Sequence, residues 1–478
     1  MMLLLSGMGL FAPPALAQDA EETAEDSAEE SAPCDPEEAG EEGCPEEEEA
    51  EPEGPPTPEY GYFTTTLDNG LKVSVLSDPD HPVVATQTWV QVGSAHEAAS
   101  EAGFAHLFEH FMFGDTSNYD KDVYSRHHTS NGGTENAYTA FDNTVYISEI
   151  PPEQHDRVLQ LEADRLVNLV LDQENLDNEK KIVTEELRLR TENNPTGRLL
   201  ITGLRGLFGE HPYGHSPAGT KEDIQGADLE LARKFYEGYY RPANLHLVIV
   251  GPVNGPWTLE RVAEYYGDLP EEHTVPPEVP SLQDWTFPER VDLQDDIPPV
   301  KLAAHIYIAP APGDPDYWAM KLLGQMLSSG SVDRFREELV VGQSKALDGF
   351  GMYVDQFQSG GLMLFGSISL PTRSRRRALK LIDGTVDTLN ERAWLTEENL
   401  AVARRALLRQ ELEGSYYASS QADDIGRAYA WMGDDALGVE GFAARYEAVT
   451  LKDVEKVWAR YIATAQPVEF TVKKGKPE

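Results

Sequence analysis

The second half of this 478-residue chain repeats the first, and a chain built from two copies of one unit must fold as two like domains. Val300 to Tyr307 mirrors a strand-like run at Val83 to Val92, and Leu362 to Leu370, closed by Pro371, mirrors Val145 to Ile150, closed by Pro151-Pro152. In the first copy, alternating apolar residues at Phe63 to Leu67 and Leu71 to Leu76 flank Asp68-Asn69-Gly70, which predicts a β-hairpin. The two prolines should open a helix running to Leu171. Further helices are predicted over Leu229 to Tyr239 and Leu259 to Tyr266, with a strand at Leu245 to Gly251 between them. Strands mixed with helices in each copy give an α+β class: two homologous α/β-sandwich domains, each a mixed, mostly antiparallel sheet with helices packed on it. We place them at residues 59–272 and 289–478, joined by a Pro-rich linker at 273–288.

The first copy carries chemistry that the second lacks. In Ala105-His106-Leu107-Phe108-Glu109-His110-Phe111-Met112-Phe113, His106 and His110 are four apart, so on a helix both rings lie on one face and can aim a nitrogen at one ion. Glu109, three residues after His106, can reach a water in an open metal position and act as general base. The competing reading is an amphipathic helix whose histidines are merely hydrogen-bonded, so the motif needs a third ligand, commonly a carboxylate. Asn175 to Leu187 supplies candidates: Leu176, Ile182, Val183 and Leu187 form an apolar stripe, and Glu179 and Glu186, two turns apart, share that side while Glu185 points elsewhere. If Glu186 binds metal, Glu179 can orient a ligand. Superposing the copies puts Leu322, Gln325 and Met326 over His106, Glu109 and His110, and Gln410 over Glu186. The fold therefore does not require those polar residues.

His106-x-x-Glu109-His110, followed by a helix with Glu179 and Glu186, resembles the pitrilysin-like inverzincin metallopeptidases, the family of insulin-degrading enzyme and the mitochondrial processing peptidases. Gly132 to Tyr146, which contains Asn136-Ala137-Tyr138, is similar to the family's substrate-binding edge strand. The resemblance runs from about Tyr60 to the C-terminus. It implies one Zn²⁺ per chain held by His106, His110 and Glu186, with Glu109 as the base. It further implies substrate bound as an added strand along Asn136, Ala137 and Tyr138, with Phe113 lining the groove, and a chain forming half of a clamshell that closes on peptides or unfolded segments. The family pattern also wants an Arg and a Tyr, seven apart, facing the zinc. The stretch Leu339 to Asp348 has no such pair, and Arg409 with Tyr416 has the spacing but falls on a predicted helix. A related subunit without the zinc motif is expected to supply the pair, giving a heterodimer in preference to a homodimer.

Charge narrows the partners. Lys plus Arg total 39 against 83 Asp plus Glu, a net charge of −44, which opposes nucleic-acid and anionic-membrane binding. Residues 18–58 hold 18 acidic residues and no Lys or Arg, so removing them leaves −26 for the rest. That stretch has too few large apolar residues to offset ordering entropy and is expected to be a disordered leader; Cys34 and Cys44, the only cysteines, lie in it and could close a local loop. Met1 to Ala17, apolar and ending Ala-Leu-Ala, reads as a signal peptide without a basic n-region, so export to a periplasmic or extracellular location is expected and stable membrane insertion is not. His127 and His128 are expected at the surface or behind the ligands, His211 and His215 in structural roles, and Arg373 to Arg377 as a solvated helix start.

The function expected from these residues is a zinc-dependent endopeptidase. The alternatives are a non-catalytic peptide-binding or scaffold subunit, which the intact motif opposes, and a zinc hydrolase of another substrate, since a metal site fixes reaction type and not substrate.

Overall fold

The structure, a computed structural model, describes residues 56–295, 300–328, 334–342, 346–391 and 394–475. The expected signal peptide, almost all of the leader with both cysteines, and residues 343–345 lie outside the described residues. Two sheets organise the rest. The first comprises β1 (Gly61–Thr66), β2 (Lys72–Ser77), β3 (Val84–Val90), β4 (Thr134–Thr139), β5 (Thr144–Ile150) and β6 (Leu245–Gly251), in the order β1-β2-β6-β3-β5-β4. The second comprises β7 (Arg290–Asp295), β8 (Lys301–Ala309), β9 (Asp348–Phe357), β10 (Gly360–Ser369) and β11 (Val468–Lys474), in the order β7-β11-β8-β10-β9. Each has one parallel pair, β2 with β6 and β7 with β11, and is otherwise antiparallel. The second sheet thus reproduces the first without β1, as the repeat requires.

The principal helices are α1 (Phe104–Phe111), α2 (Asp122–Ser130), α3 (His155–Arg165), α4 (Gln173–Leu187), α5 (Pro195–Phe208), α6 (Leu229–Tyr239), α7 (Gly255–Tyr266), α8 (Tyr317–Ser328), α9 (Arg375–Glu391), α10 (Glu397–Gly414), α11 (Ala418–Met432) and α12 (Leu451–Trp458). Helices α1, α3, α4, α6 and α7 share one core with the first sheet, and α8, α9, α10 and α12 share another with the second. The remaining sheet faces are covered by exchange. Helix α11 of the second half lays Ala418, Ala422 and Ile425 on Trp89, Val145 and Val248 of the first sheet. Helix α5 of the first half lays Leu204, Leu207 and Phe208 against Ile306, Phe350 and Leu362 of the second. Strands β3 and β6 are buried along their whole length, as strands covered on both faces must be. The exchange demands close approach: a Cβ at Gly426 of α11 would stand 2.1 Å from the Trp89 indole.

The hairpin closes at Gly70, whose φ of 90° lies in the left-handed region, and Asn69 ties the turn to α7 by donating to the Tyr266 carbonyl at 2.6 Å. Some expectations need correction. The helix after Pro151-Pro152 does not reach Leu171; α3 stops at Arg165, because the chain beyond pairs with 115–116 through a Thr116–Leu169 bridge and a Val170 N–H to Asp115 carbonyl bond of 2.9 Å. The last helix of the first copy begins at Gly255 rather than Leu259, because Asn254 caps it by accepting from the Trp257 N–H. Ile182 is 52% exposed and does not belong to the buried stripe of α4. His128 is fully buried, not superficial: α2 packs its ring on β5, where Nε2 meets the Ser148 hydroxyl at 2.6 Å. His211 is structural, bridging the Pro280 carbonyl at 2.9 Å, and Arg375 at the start of α9 pairs with Asp292 at 3.3 Å.

Candidate metal centre

Helix α1 is preceded by Gly103, which has no capping side chain and a φ of 86°. Glu97, six residues upstream, does the capping instead: its two carboxylate oxygens accept the N–H groups of Gly103 and Ala105, each at 2.8 Å. At the other end Arg165 donates to the Met112 carbonyl at 3.3 Å, and Tyr146 donates to the Phe108 carbonyl at 3.0 Å. The helix is thus held at both ends, with Phe104, Leu107, Phe108 and Phe111 in the core. That leaves His106 and His110 on the face toward α4, their ring centroids 5.0 Å apart.

Glu186 of α4 faces both rings. Its Oε2 lies 3.1 Å from His110 Nε2 and its Oε1 3.6 Å from His106 Nε2. One donor atom from each of these three residues falls within 4.8 Å of the others. A tetrahedral zinc with ligand bonds near 2.0–2.1 Å sets its ligand atoms about 3.3 Å apart, so the observed spacings bracket what the ion needs. Two imidazole nitrogens and one carboxylate are also a donor set suited to zinc. The residues present fit the metal. Glu179 stands behind His110, its Oε2 3.7 Å from the ring's Nδ1, while Glu185 points to solvent and pairs with Arg188. Burial pushes the Glu186 carboxyl up, but hydrogen bonds and charge from His106 and His110 overcome it and hold the group well below the usual carboxylate range.

Glu109 is 3% exposed and accepts a 2.5 Å hydrogen bond from the Thr139 hydroxyl at the end of β4. Burial raises its carboxyl above the ordinary range, with the neighbouring histidines and Thr139 pulling the other way. A carboxylate so placed is poised to take a proton. Sequence reasoning missed Thr139 and Glu97. Alternation along Thr134 to Thr139 puts Thr139 on the face of Ala137, toward α1, and could have revealed the first; no periodic pattern marks the second.

Asn136, Ala137 and Tyr138 lie on β4, which among the described residues pairs only with β5 and forms the edge of the first sheet. Ala137 is buried, and the Tyr138 side chain turns to the opposite sheet face, where its hydroxyl donates to Asp423 of α11 at 3.0 Å. What Tyr138 can offer a strand laid along this edge is therefore its main chain. Phe113 is half-buried against Tyr124, at 6.0 Å between centroids, with the Arg165 guanidinium 5.4 Å from its ring. Arg409 pairs with Glu413 on the exposed side of α10, and Tyr416, just past that helix, is 79% exposed.

Two family models match this chain: one described as Insulinase (Peptidase family M16) over residues 72–205, the other as Peptidase M16 inactive domain over residues 227–407. The chain belongs to peptidase family M16. The first M16 match contains His106, Glu109, His110 and Glu186, whereas the second spans the copy where Leu322 and Met326 are buried core residues. Zinc protease PqqE of Helicobacter pylori is 26% identical over 420 residues, covering 86% of this chain and 93% of that protein. An uncharacterized zinc protease of Mycobacterium bovis is 25% identical over 404 residues, 83% and 90% of the two chains. Among solved structures, a protease from Helicobacter pylori superposes with a TM-score of 0.75 at 24% identity, covering 87% of this chain and 100% of that one. A peptidase M16 inactive domain from Pseudomonas fluorescens gives 0.74 at 17% identity over the same shares. These M16 structures share the two-sheet α+β fold.

Proposed function

We propose that this chain is a zinc-dependent endopeptidase in which His106, His110 and Glu186 hold one Zn²⁺ and Glu109 is the general base. The observation that carries the reading is the convergence of three donor atoms within 4.8 Å, next to a buried carboxylate that is not one of them. Zinc held there supplies Lewis acidity, polarising the scissile carbonyl and lowering the pKa of the attacking water. Glu109 takes the proton of that water and passes it to the leaving amine. Thr139 keeps its oxygen aimed by donating to it. The open edge of β4 binds the peptide as an added strand through main-chain hydrogen bonds, which gives little sequence stringency.

No Arg–Tyr pair facing the site comes from Arg409 and Tyr416, both exposed. We therefore also propose that a related subunit completes the site; separately, the apolar Met1 to Ala17 run ending Ala-Leu-Ala supports a chain that works as an exported protein, in the periplasm or outside the cell. Metal analysis and peptide cleavage test the core of the reading. The wild-type chain should bind about one zinc, and His106→Ala, His110→Ala and Glu186→Gln should each weaken it. Glu109→Gln should keep the metal and lose cleavage by orders of magnitude. Undiminished turnover in Glu109→Gln would reject the base. Full activity of the isolated chain, unchanged by a partner, would reject the shared site alone.

A further inference from the structure

Two consecutive Glu–Arg pairs end helix α4, and they face opposite ways. Glu185 and Arg188 meet at 2.6 Å in solvent, with side chains 57% and 47% exposed. Glu186 and Arg190 meet at 2.8 Å, Nη1 to Oε1, at the metal centre, with side chains 15% and 20% exposed. Arg190 sits in a π-helical turn, Arg188–Glu192, that continues α4. Such turns are rare and recur at functional sites because they re-aim side chains. The turn is clamped from outside: Gly197 of α5 packs on it so closely that a Cβ there would stand 2.1 Å from the Arg190 carbonyl oxygen.

The two oxygens of Glu186 consequently have different surroundings. Oε2 faces His110 Nε2 at 3.1 Å, whereas Oε1 is shared between the Arg190 guanidinium and the more distant His106 ring. The charges point the same way. With neutral imidazoles, the carboxylates of Glu109, Glu179 and Glu186 sum to −3 and a divalent ion leaves −1, an excess that favours cations nearby: Lys121 acts on Glu179, and the permanently charged Arg190 guanidinium is the one on Glu186. We propose that Arg190 is a positioning residue for the metal ligand: by holding Oε1 it makes Glu186 bind through a single oxygen and keeps one coordination position open. This rests on the metal-binding reading of the same three residues and adds what sets the geometry of the carboxylate.

Cobalt(II) loaded into the full chain tests it without any assay of turnover, because the intensity of its visible bands falls as coordination rises from four to five. Wild type should give the intense four-coordinate spectrum. Arg190→Gln frees Oε1 to join the ion and should lose that intensity. Arg190→Lys, which keeps a cation at the same place, should restore most of it, and Arg188→Gln, which removes the solvent-facing partner, should leave the spectrum unchanged. A wild-type spectrum in Arg190→Gln overturns the role of Arg190 while the ligand set stands. Equal loss in Arg188→Gln also overturns it, since the effect would then belong to the turn as a whole. Failure of the wild type to bind cobalt or zinc overturns both readings.

Discussion

Replacing Glu162 by Gln should destabilise the protein more than any ordinary surface change, because it strands a buried cation. Glu162 and Arg165 are both 3% exposed on α3 and meet in a two-pronged pair, the Arg165 Nη2 lying 2.7 Å from each carboxylate oxygen. Glu162 also accepts from Tyr124 and from the Thr88 hydroxyl at 3.2 Å. Arg165 is enclosed by the rings of Tyr124 and Tyr146, with centroids at 4.6 and 4.9 Å. Removing one partner of such a pair costs about 3–5 kcal/mol, because the remaining charge has neither water nor counter-charge. Glutamine retains one acceptor oxygen, so we expect the low end, about 3 kcal/mol. For a cooperative unit of roughly 200 residues that corresponds to a fall in melting temperature of about 6–12 °C. Scanning calorimetry and urea denaturation of the metal-free protein measure it. Arg261→Gln is the control, since it breaks a pair with Asp156 that is a quarter to a third exposed and should cost less than about 1 kcal/mol. Because Arg165 also holds the Met112 carbonyl at the end of α1, metal affinity should fall in Glu162→Gln as well. A loss below about 1 kcal/mol would refute the reasoning, since that is the scale of a neutral hydrogen bond and not of a stranded charge.

Thr139→Val should leave metal content unchanged and lower kcat by about 10-fold or more, the cost of one charge-assisted hydrogen bond of roughly 1.5–3 kcal/mol that aims Glu109; equal kcat would remove Thr139 from the site. Tyr138→Phe should cost about 1–2 kcal/mol in denaturant unfolding, because Asp423 loses a hydrogen bond that joins β4 to α11. Burial raises the Asp142 carboxyl to about 6, even though Tyr213 and the Gln358 N–H donate to it. The folded state therefore takes up a proton that the unfolded state, with its lower pKa, does not, and this residue adds about 1 kcal/mol of stability on going from pH 7 to pH 5. Asp142→Asn should lack that increment; an unchanged difference in unfolding free energy between the two pH values would assign it elsewhere.

By itself the sequence determined the local and repeating features of this protein. Hairpin, strands, the helix spacing of His106 and His110, and the likeness of the two halves follow from periods of 2 and 3.6 and from turn residues, all of them short-range properties of the chain. The same periodicity set Glu186 and Glu179 on one face of α4, and the apolar residues at 322 and 326 showed that the second copy lacks the counterparts of His106 and His110. Where the local signal was ambiguous it misled. Ile182 reads as core on its helix but is 52% exposed, and the helix after Pro151-Pro152 is cut short by a bridge to Thr116. Which distant groups support the site was fixed by three-dimensional packing. Glu97 on the N-terminus of α1, Thr139 on Glu109, Arg165 beneath Met112 and Arg190 on Glu186 are contacts whose energy depends on direction and burial, and composition and spacing carry neither. The exchange of α5 and α11 between the sheets was hidden for the same reason: an apolar helix face shows that it must be covered, and only packing shows by what.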